Sequence, residues 1–312
     1  MSEAFIGIDC GGTFIKAALV SKNLKAQSFF EAPVPFRATQ DEVLNIIISL
    51  VDKIKNENNV KKIKAIGIAC AGPVDSKKGI IKVAPNFTHW KGKPFALGAM
   101  LKAKFKTRIQ LENDATAAAV SEFYARRSRK ITSLVTLTLG TGIGGGVVIE
   151  GKPLRGLNWL GGEIGHVPLL LSQQKKCVCG NLGCAETYGS ATALVKRFCE
   201  LTKNNSKNLT AAIVAKKAQE GNLYAKQAFN EVGEALGLLT SVICNILDPD
   251  VVVIGGGMSR AHSLFMPALK KKFSEHAFMH HLRNKNPIEI SRLNKTAGLL
   301  GAVLCAQREL SI

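Results

Sequence analysis

The 312-residue sequence has no uninterrupted apolar run approaching the roughly 18 residues that a membrane-spanning helix needs. Its opening, MSEAFIGIDCGG, runs straight into a strand-like segment without the basic region and small-residue cleavage site of a secretory leader, so a cytoplasmic location is expected. Aromatic residues are scarce at 6%, and no proline- or serine-rich linker interrupts the chain. Eight cysteines scattered over this length, without a leader, read as reduced thiols or metal ligands rather than disulfides. Acidic residues are also few, 23 against 42 basic, for a net charge of +19. Such a surface attracts polyanions. The lysine-rich stretches, such as Lys53–Lys64, lack interleaved aromatics, so the charge reads as proteome bias and nucleic acid is not an expected partner.

What is present is 46% hydrophobic residues and 29 glycines scattered through β-branched runs, the composition of an α/β enzyme. The length favours two lobes. AFIGIDCGGTFIKAALV reads as strand, glycine turn, strand, and SLVTLTLGTGIGGGVVIEG repeats that grammar roughly 130 residues later, which suggests a duplicated architecture. Helical spacing in DEVLNIIISLVDKIKN, a buried strand in IKAIGIACAGPVD and a strand running into a helix in RIQLENDATAAAVSEFYARR predict strand–helix alternation and a largely parallel sheet. In the second half NEVGEALGLLTSVICNIL predicts a helix, PDVVVIGGG a buried strand, and AGLLGAVLCAQREL a terminal helix. The expected division is a first lobe of residues 1–112, joined by the terminal helix 297–312, and a second of residues 113–296.

Two glycine motifs mislead. Gly140, Gly142 and Gly145 match the dinucleotide pattern G-x-G-x-x-G, but β-branched residues and Pro153 follow where that pattern needs a helix. Gly146, Gly151 and Lys152 imitate a phosphate loop, yet its interior VVIE is a strand and Pro153 replaces the required Ser or Thr. Both hairpin turns are better read as phosphate clamps, in which glycines admit backbone N–H groups to an anion and threonines add donors. Asp9 is then placed to hold magnesium through water and Lys16 to neutralise charge.

DCGGTFIK (9–16), CAGPVD (70–75), ENDATAAAVSE (112–122), GTGIGGGVV (140–148) and CVCGNLGCAE (177–186) together resemble the ROK family of sugar kinases and repressors over essentially the whole chain. The resemblance implies an α/β, actin-like ATPase fold of the hexokinase superfamily, with two lobes, ATP and sugar in the cleft, and a homodimer as a common assembly. Repressor members carry a helix-turn-helix domain ahead of the first hairpin; four residues precede Phe5 here, so the kinase branch is expected.

Cys177, Cys179 and Cys184, with His166 upstream, supply three thiolates and an imidazole, a closed tetrahedral set for structural zinc with no open position for an activated water. Glu163 and Glu186 flank that set, so a metal-braced loop would orient both as acceptors for sugar hydroxyls, with His166 offering its second ring nitrogen. The carboxylate of Asp114 suits a helix cap as well as a general base on local sequence; the resemblance implies the base. It also implies that Asn113 and Asn86 bond the sugar, that Gly72 lets backbone approach it, and that Trp90 supports Asn86. His89 departs from the small glycine expected beside that tryptophan and reads as a solvated loop residue. On the nucleotide side Gly11, Gly12, Thr13, Thr141 and Gly142 would grip the phosphates of ATP, and Gly255, Gly256 and Gly257 would admit adenosine. Magnesium would arrive with ATP. The expected activity is glucose 6-phosphorylation, with N-acetylmannosamine, N-acetylglucosamine or fructose as rival substrates, a sugar-responsive regulator as the non-catalytic rival, and inorganic polyphosphate as a further donor.

Overall fold

Both strand–glycine turn–strand units form in the computed structural model, which describes residues 4–169, 174–203, 208–279, 287–293 and 296–307. The chain begins with β1 (Ala4–Cys10), β2 (Phe14–Ser21) and β3 (Ala26–Pro33), then α1 (Gln40–Glu57) and β4 (Ile63–Cys70). Short strands β5 (Val74–Asp75) and β6 (Ile80–Ile81) lead through a 3₁₀ segment, Pro85–Trp90, to α2 (Leu97–Phe105), β7 (Arg108–Asn113) and α3 (Asp114–Ala125). The second hairpin is β8 (Ser133–Leu139) and β9 (Ile143–Ile149), followed by β10 (Lys152–Pro153). Next come α4 (Glu186–Gly189), α5 (Ala191–Thr202), α6 (Ala211–Gln219) and α7 (Leu223–Leu247). The chain then forms β11 (Val251–Gly255), α8 (His262–His276), β12 (Ile288–Ile290) and α9 (Ala297–Gln307).

Two compact units emerge: Met1–Thr132 with Gly146–Gly162 and Lys295–Ile312, and Ser133–Gly145 with Glu163–Asn294. The expected division near Glu112 lies inside the first unit, at the β7–α3 junction, because α3 packs closely on α9. The approach is so tight that a Cβ on Gly301 would sit 1.6 Å from the Ala117 carbonyl oxygen. α9 is apolar on all sides and buried along nearly its whole described length, as a helix inserted into a core must be.

The first unit carries a sheet of order β3-β2-β1-β4-β7. It is mixed rather than largely parallel: β1, β4 and β7 are parallel, but β3-β2-β1 is an antiparallel meander. The reason is connection length, since short turns join only antiparallel neighbours and a parallel pair needs a crossover. In the second sheet, of order β10-β9-β8-β11-β12, the strands β8, β11 and β12 run parallel. Helix α1 starts in a capping box, with the Glu42 N–H donating to Thr39 Oγ1 and the Thr39 N–H donating to Glu42 Oε2 at 2.7 Å. It buries Val43, Ile47, Leu50, Val51 and Ile54, one apolar stripe, in the core of the first unit.

Candidate active site

The parallel strands of the first unit end level with one another. Cys10, Cys70 and Asn113 are successive register partners across β1, β4 and β7. This row lies at the carboxyl ends of the strands, where open α/β sheets collect ligands. Most sugar and phosphate residues expected in this unit gather here. Asp9 precedes Cys10 and stands in register with Lys16 across the β1–β2 hairpin. Burial pushes its carboxyl above the ordinary range and Lys16 opposes that shift. The glycine turn of this hairpin abuts the 3₁₀ segment: a side chain at Gly12 would meet the Asn86 Cβ at 2.7 Å. Thr13 is exposed at the same turn. Gly72 adopts φ +89°, open to glycine at little cost, and a Cβ there would lie 2.4 Å from the Val83 carbonyl oxygen. The Asn113 side-chain amide donates to the Gly72 carbonyl at 3.2 Å, which joins the ends of β4 and β7.

The capping role weighed for Asp114 falls to its neighbour: Asn113 Oδ1 accepts from the Thr116 N–H at 2.9 Å. Asp114 is exposed at the first turn of α3, its Oδ1 accepting from the Ala115 N–H at 2.8 Å. Asn86 is exposed, while Trp90 beneath it is buried, stacked on Phe87 at 4.4 Å and donating its indole N–H to the Ala38 carbonyl at 2.8 Å. The His89 expectation needs correction. Its ring is half-buried and its Nε2 sits 2.7 Å from the same Ala38 carbonyl, so the residue fastens the Asn86 segment to the start of α1.

Sequence reasoning did not single out Glu112 as a side chain that matters. It is 2% exposed, and its Oε2 accepts two bonds from Arg155, from Nε at 2.9 Å and Nη2 at 2.6 Å. Burial raises the Glu112 pKa and Arg155 opposes the rise. The buried strand end is the only sequence signal pointing to it, and nothing local identifies a partner 43 residues away.

In the second unit His166, Cys177, Cys179 and Cys184 place one ligand atom each within 4.8 Å of all the others. The Sγ atoms of Cys179 and Cys184 are 3.6 Å apart, and His166 Nδ1 is 3.7 Å from Cys177 Sγ. A tetrahedral zinc with ordinary bond lengths sets ligand atoms about 3.6–3.8 Å apart, so the donor set fits the metal in chemistry and spacing. Folding joins the group through a cysteine turn, with the Gly180 N–H donating to the Cys177 carbonyl at 3.0 Å, and a link from the Leu169 N–H to the Gly183 carbonyl at 2.8 Å. His166 turns Nδ1 to the cysteines and Nε2 toward Glu163, whose Oε2 is 3.9 Å away. Glu186 Oε1 lies 2.9 Å from Cys177 Sγ. The two glutamates thus flank the cluster.

The β8–β9 turn closes by a Gly140 N–H to Gly142 carbonyl bond of 3.0 Å, with Thr141 exposed at its tip. A Cβ on Gly142 would meet Glu186 Oε2 at 2.4 Å, so this turn lies beside the cluster. Gly255 ends β11 in register with Thr138, and Gly256, at φ +82°, packs on Leu139, leaving Gly256 and Gly257 exposed. Thr141, Gly142, the glycine trio, Glu186 and the Cys/His set therefore share one side of the second unit.

The sequence profile of the ROK family matches residues 5–309. Among curated relatives, a Thermotoga maritima glucokinase is 30% identical over 95% of both chains, and a Caldicellulosiruptor bescii xylose repressor is 29% identical over 96% of this chain and 77% of its own. Of solved structures, a Streptomyces griseus ROK glucokinase in complex with glucose and AMPPNP superimposes with a TM-score of 0.82 at 26% identity, covering 98% of this chain and 99% of its own. The α/β fold is the actin-like ATPase fold anticipated from the sequence, and the chain belongs to the ROK family.

Proposed function

We propose that the chain is an ATP-dependent hexose kinase that transfers the γ-phosphoryl group of ATP to the 6-hydroxyl of glucose. The observation that carries this reading is the convergence, at the carboxyl ends of β1, β4 and β7, of the Asp9–Lys16 hairpin with Asn86, Gly72, Asn113 and Asp114. Phosphoryl transfer requires positioning, charge neutralisation and a carboxylate to accept the hydroxyl proton. Asp114 is an exposed carboxylate at a helix N-terminus, supplied for the last role. Asn113 and Asn86 bond sugar hydroxyls, and the Gly72 backbone forms the floor under them. Gly11, Gly12 and Thr13, and in the second unit Thr141 and Gly142, offer backbone N–H groups and hydroxyls to phosphates, while Gly255, Gly256 and Gly257 admit adenosine. Magnesium bound with ATP would supply positive charge at the phosphates; Asp9 would hold it through water, and Lys16 adds a cation. His166, Cys177, Cys179 and Cys184 would hold zinc as a structural ion, bracing the loop that carries Glu163 and Glu186, which we assign with His166 to sugar binding.

A panel of glucose, fructose, N-acetylglucosamine and N-acetylmannosamine, assayed with ATP and magnesium, tests the reading, with polyphosphate as a second donor. Glucose 6-phosphate is the expected product, and Asp114→Asn lowers its turnover about 1,000-fold. Turnover of an N-acetylated sugar alone overturns glucose, and unchanged turnover in Asp114→Asn overturns the base. The similarity to a xylose repressor supports a second reading, a sugar-responsive regulator. Sugar binding by the unaltered protein without phosphorylation of any sugar in the panel establishes that reading instead.

A further inference from the structure

We infer that Arg155 is a positioning residue for phosphoryl transfer, holding through the buried Glu112 the strand end that carries Asn113 and Asp114. This rests on the kinase reading above. Glu112 divides its oxygens between two tasks: Oε1 accepts from the Asn113 N–H at 3.2 Å, and Oε2 accepts the paired Arg155 donors. Arg155 thus fixes the carboxylate that fixes the backbone at residue 113. From there Asn113 reaches the Gly72 carbonyl with its amide and caps α3 with its oxygen, and Asp114 follows.

Burial makes the arrangement asymmetric. Glu112 is 2% exposed and Arg155 31%. Without Glu112 the guanidinium turns to water; without Arg155 the buried carboxylate loses the cation that bonds it, and relief requires either a proton or movement of the strand end. Few other groups are placed to compensate. β4 sets Ala69 opposite Glu112, and α9 adds the Cys305 thiol, its Sγ 3.9 Å from Oε2. α3 carries Asp114 at its start, with Tyr124 and the Glu122–Arg126 pair farther along. β5 and α2 add Asp75 and the exposed Lys102 and Lys104.

The test is steady-state kinetics against pH on the full-length protein, for Arg155→Met, Arg155→Lys, Glu112→Gln and the double Arg155→Met/Glu112→Gln variant, with thermal melts to establish folding. Arg155→Met is expected to lose about 10- to 100-fold in kcat, with the KM for ATP little changed. Its deficit relative to the unaltered protein grows as pH rises and Glu112 ionises. Adding Glu112→Gln removes the stranded charge, so the double variant recovers most of the loss and its remaining deficit no longer varies with pH. Arg155→Lys keeps the cation without the fork and falls between. A folded Arg155→Met variant with kcat within about two-fold of the unaltered protein at every pH overturns the inference. So does a deficit that is constant with pH and unrelieved by Glu112→Gln, because the loss then does not come from the carboxylate that Arg155 holds. An unaltered protein that phosphorylates no sugar removes the kinase reading and this one with it, whereas an active unaltered protein beside an unaffected Arg155→Met variant removes this one alone.

Discussion

Replacing Cys184 by serine, or stripping metal with a chelator, tests the proposed zinc site through stability. Cys184 is buried, its sulfur is 3.6 Å from Cys179 Sγ, and all four donor atoms already lie within 4.8 Å of one another. A metal entering this set need not first gather its ligands, so little of its binding free energy is consumed in ordering chain. Zinc present at about 1,000 times its dissociation constant stabilises the folded form by roughly 4 kcal/mol. For units of this size 1 kcal/mol moves the melting temperature by about 2–4 °C, which gives a shift of roughly 8–16 °C between loaded and stripped protein. The assay is thermal unfolding in metal-buffered solution beside elemental analysis of the purified chain. The expected results are one zinc per chain, a melting temperature that falls on chelation and returns with zinc, and a Cys184→Ser variant that has lost both metal and response. A purified chain without zinc, whose melting temperature ignores chelator and added zinc alike, refutes the reasoning.

Asp9→Asn is expected to abolish sugar phosphorylation and yet raise the melting temperature at neutral pH. Burial holds the Asp9 pKa above its unfolded value, so the folded form binds the extra proton and its stability falls as pH rises through that interval. The gain from Asn therefore shrinks on acidification, when Asp9 itself becomes neutral, and melts recorded across pH check this sign. Gly72→Ala places a Cβ at φ +89° and 2.4 Å from the Val83 carbonyl oxygen; displacing the carbonyl that Asn113 bonds should raise the sugar KM in the kinetic assay. Gly301→Val forces α9 off α3 and is expected to cost more than about 3 kcal/mol in urea unfolding, the upper end for overpacked cores.

Local pattern carried the elements that repeat with a clear period or close on a glycine turn. The α1 stripe from Val43 to Ile54 and the β1–β2 hairpin are of this kind. The Cys/His cluster was legible because three of its four donors fall within eight residues, a separation that one turn closes. β3 was not: its residues alternate between half-buried and exposed at a sheet edge, so AQSFFEAP shows no core-facing run. Missing it turned a mixed sheet into an expected parallel one. Contacts created by topology were equally hidden. His89 looked solvated because nothing near it in sequence could bond it, whereas the fold brings the Ala38 carbonyl across a separation of 51 residues. The Arg155–Glu112 pair is of the same kind.

Two carboxylates of the first unit whose pKa burial raises, Glu112 and Asp9, bear on the choice between kinase and sugar-responsive regulator. Glu112 has Arg155 against it and an oxygen on backbone, partners that oppose the rise in pKa that its burial causes. Asp9 has fewer partners: burial raises its pKa too, and Lys16 across the hairpin is the group that opposes the rise. A buried charge without full compensation lowers stability at neutral pH, and such costs concentrate where a ligand or a reaction uses the group. A protein that only senses sugar would use Asn86 and Asn113, and nothing in that task calls for a carboxylate at the foot of a glycine turn suited to phosphate. A kinase would use it, because a magnesium ion arriving with the nucleotide would turn that charge into an attraction. The position of Asp9 at the foot of the glycine turn thus supports the catalytic reading over the regulatory one, on grounds independent of Asp114.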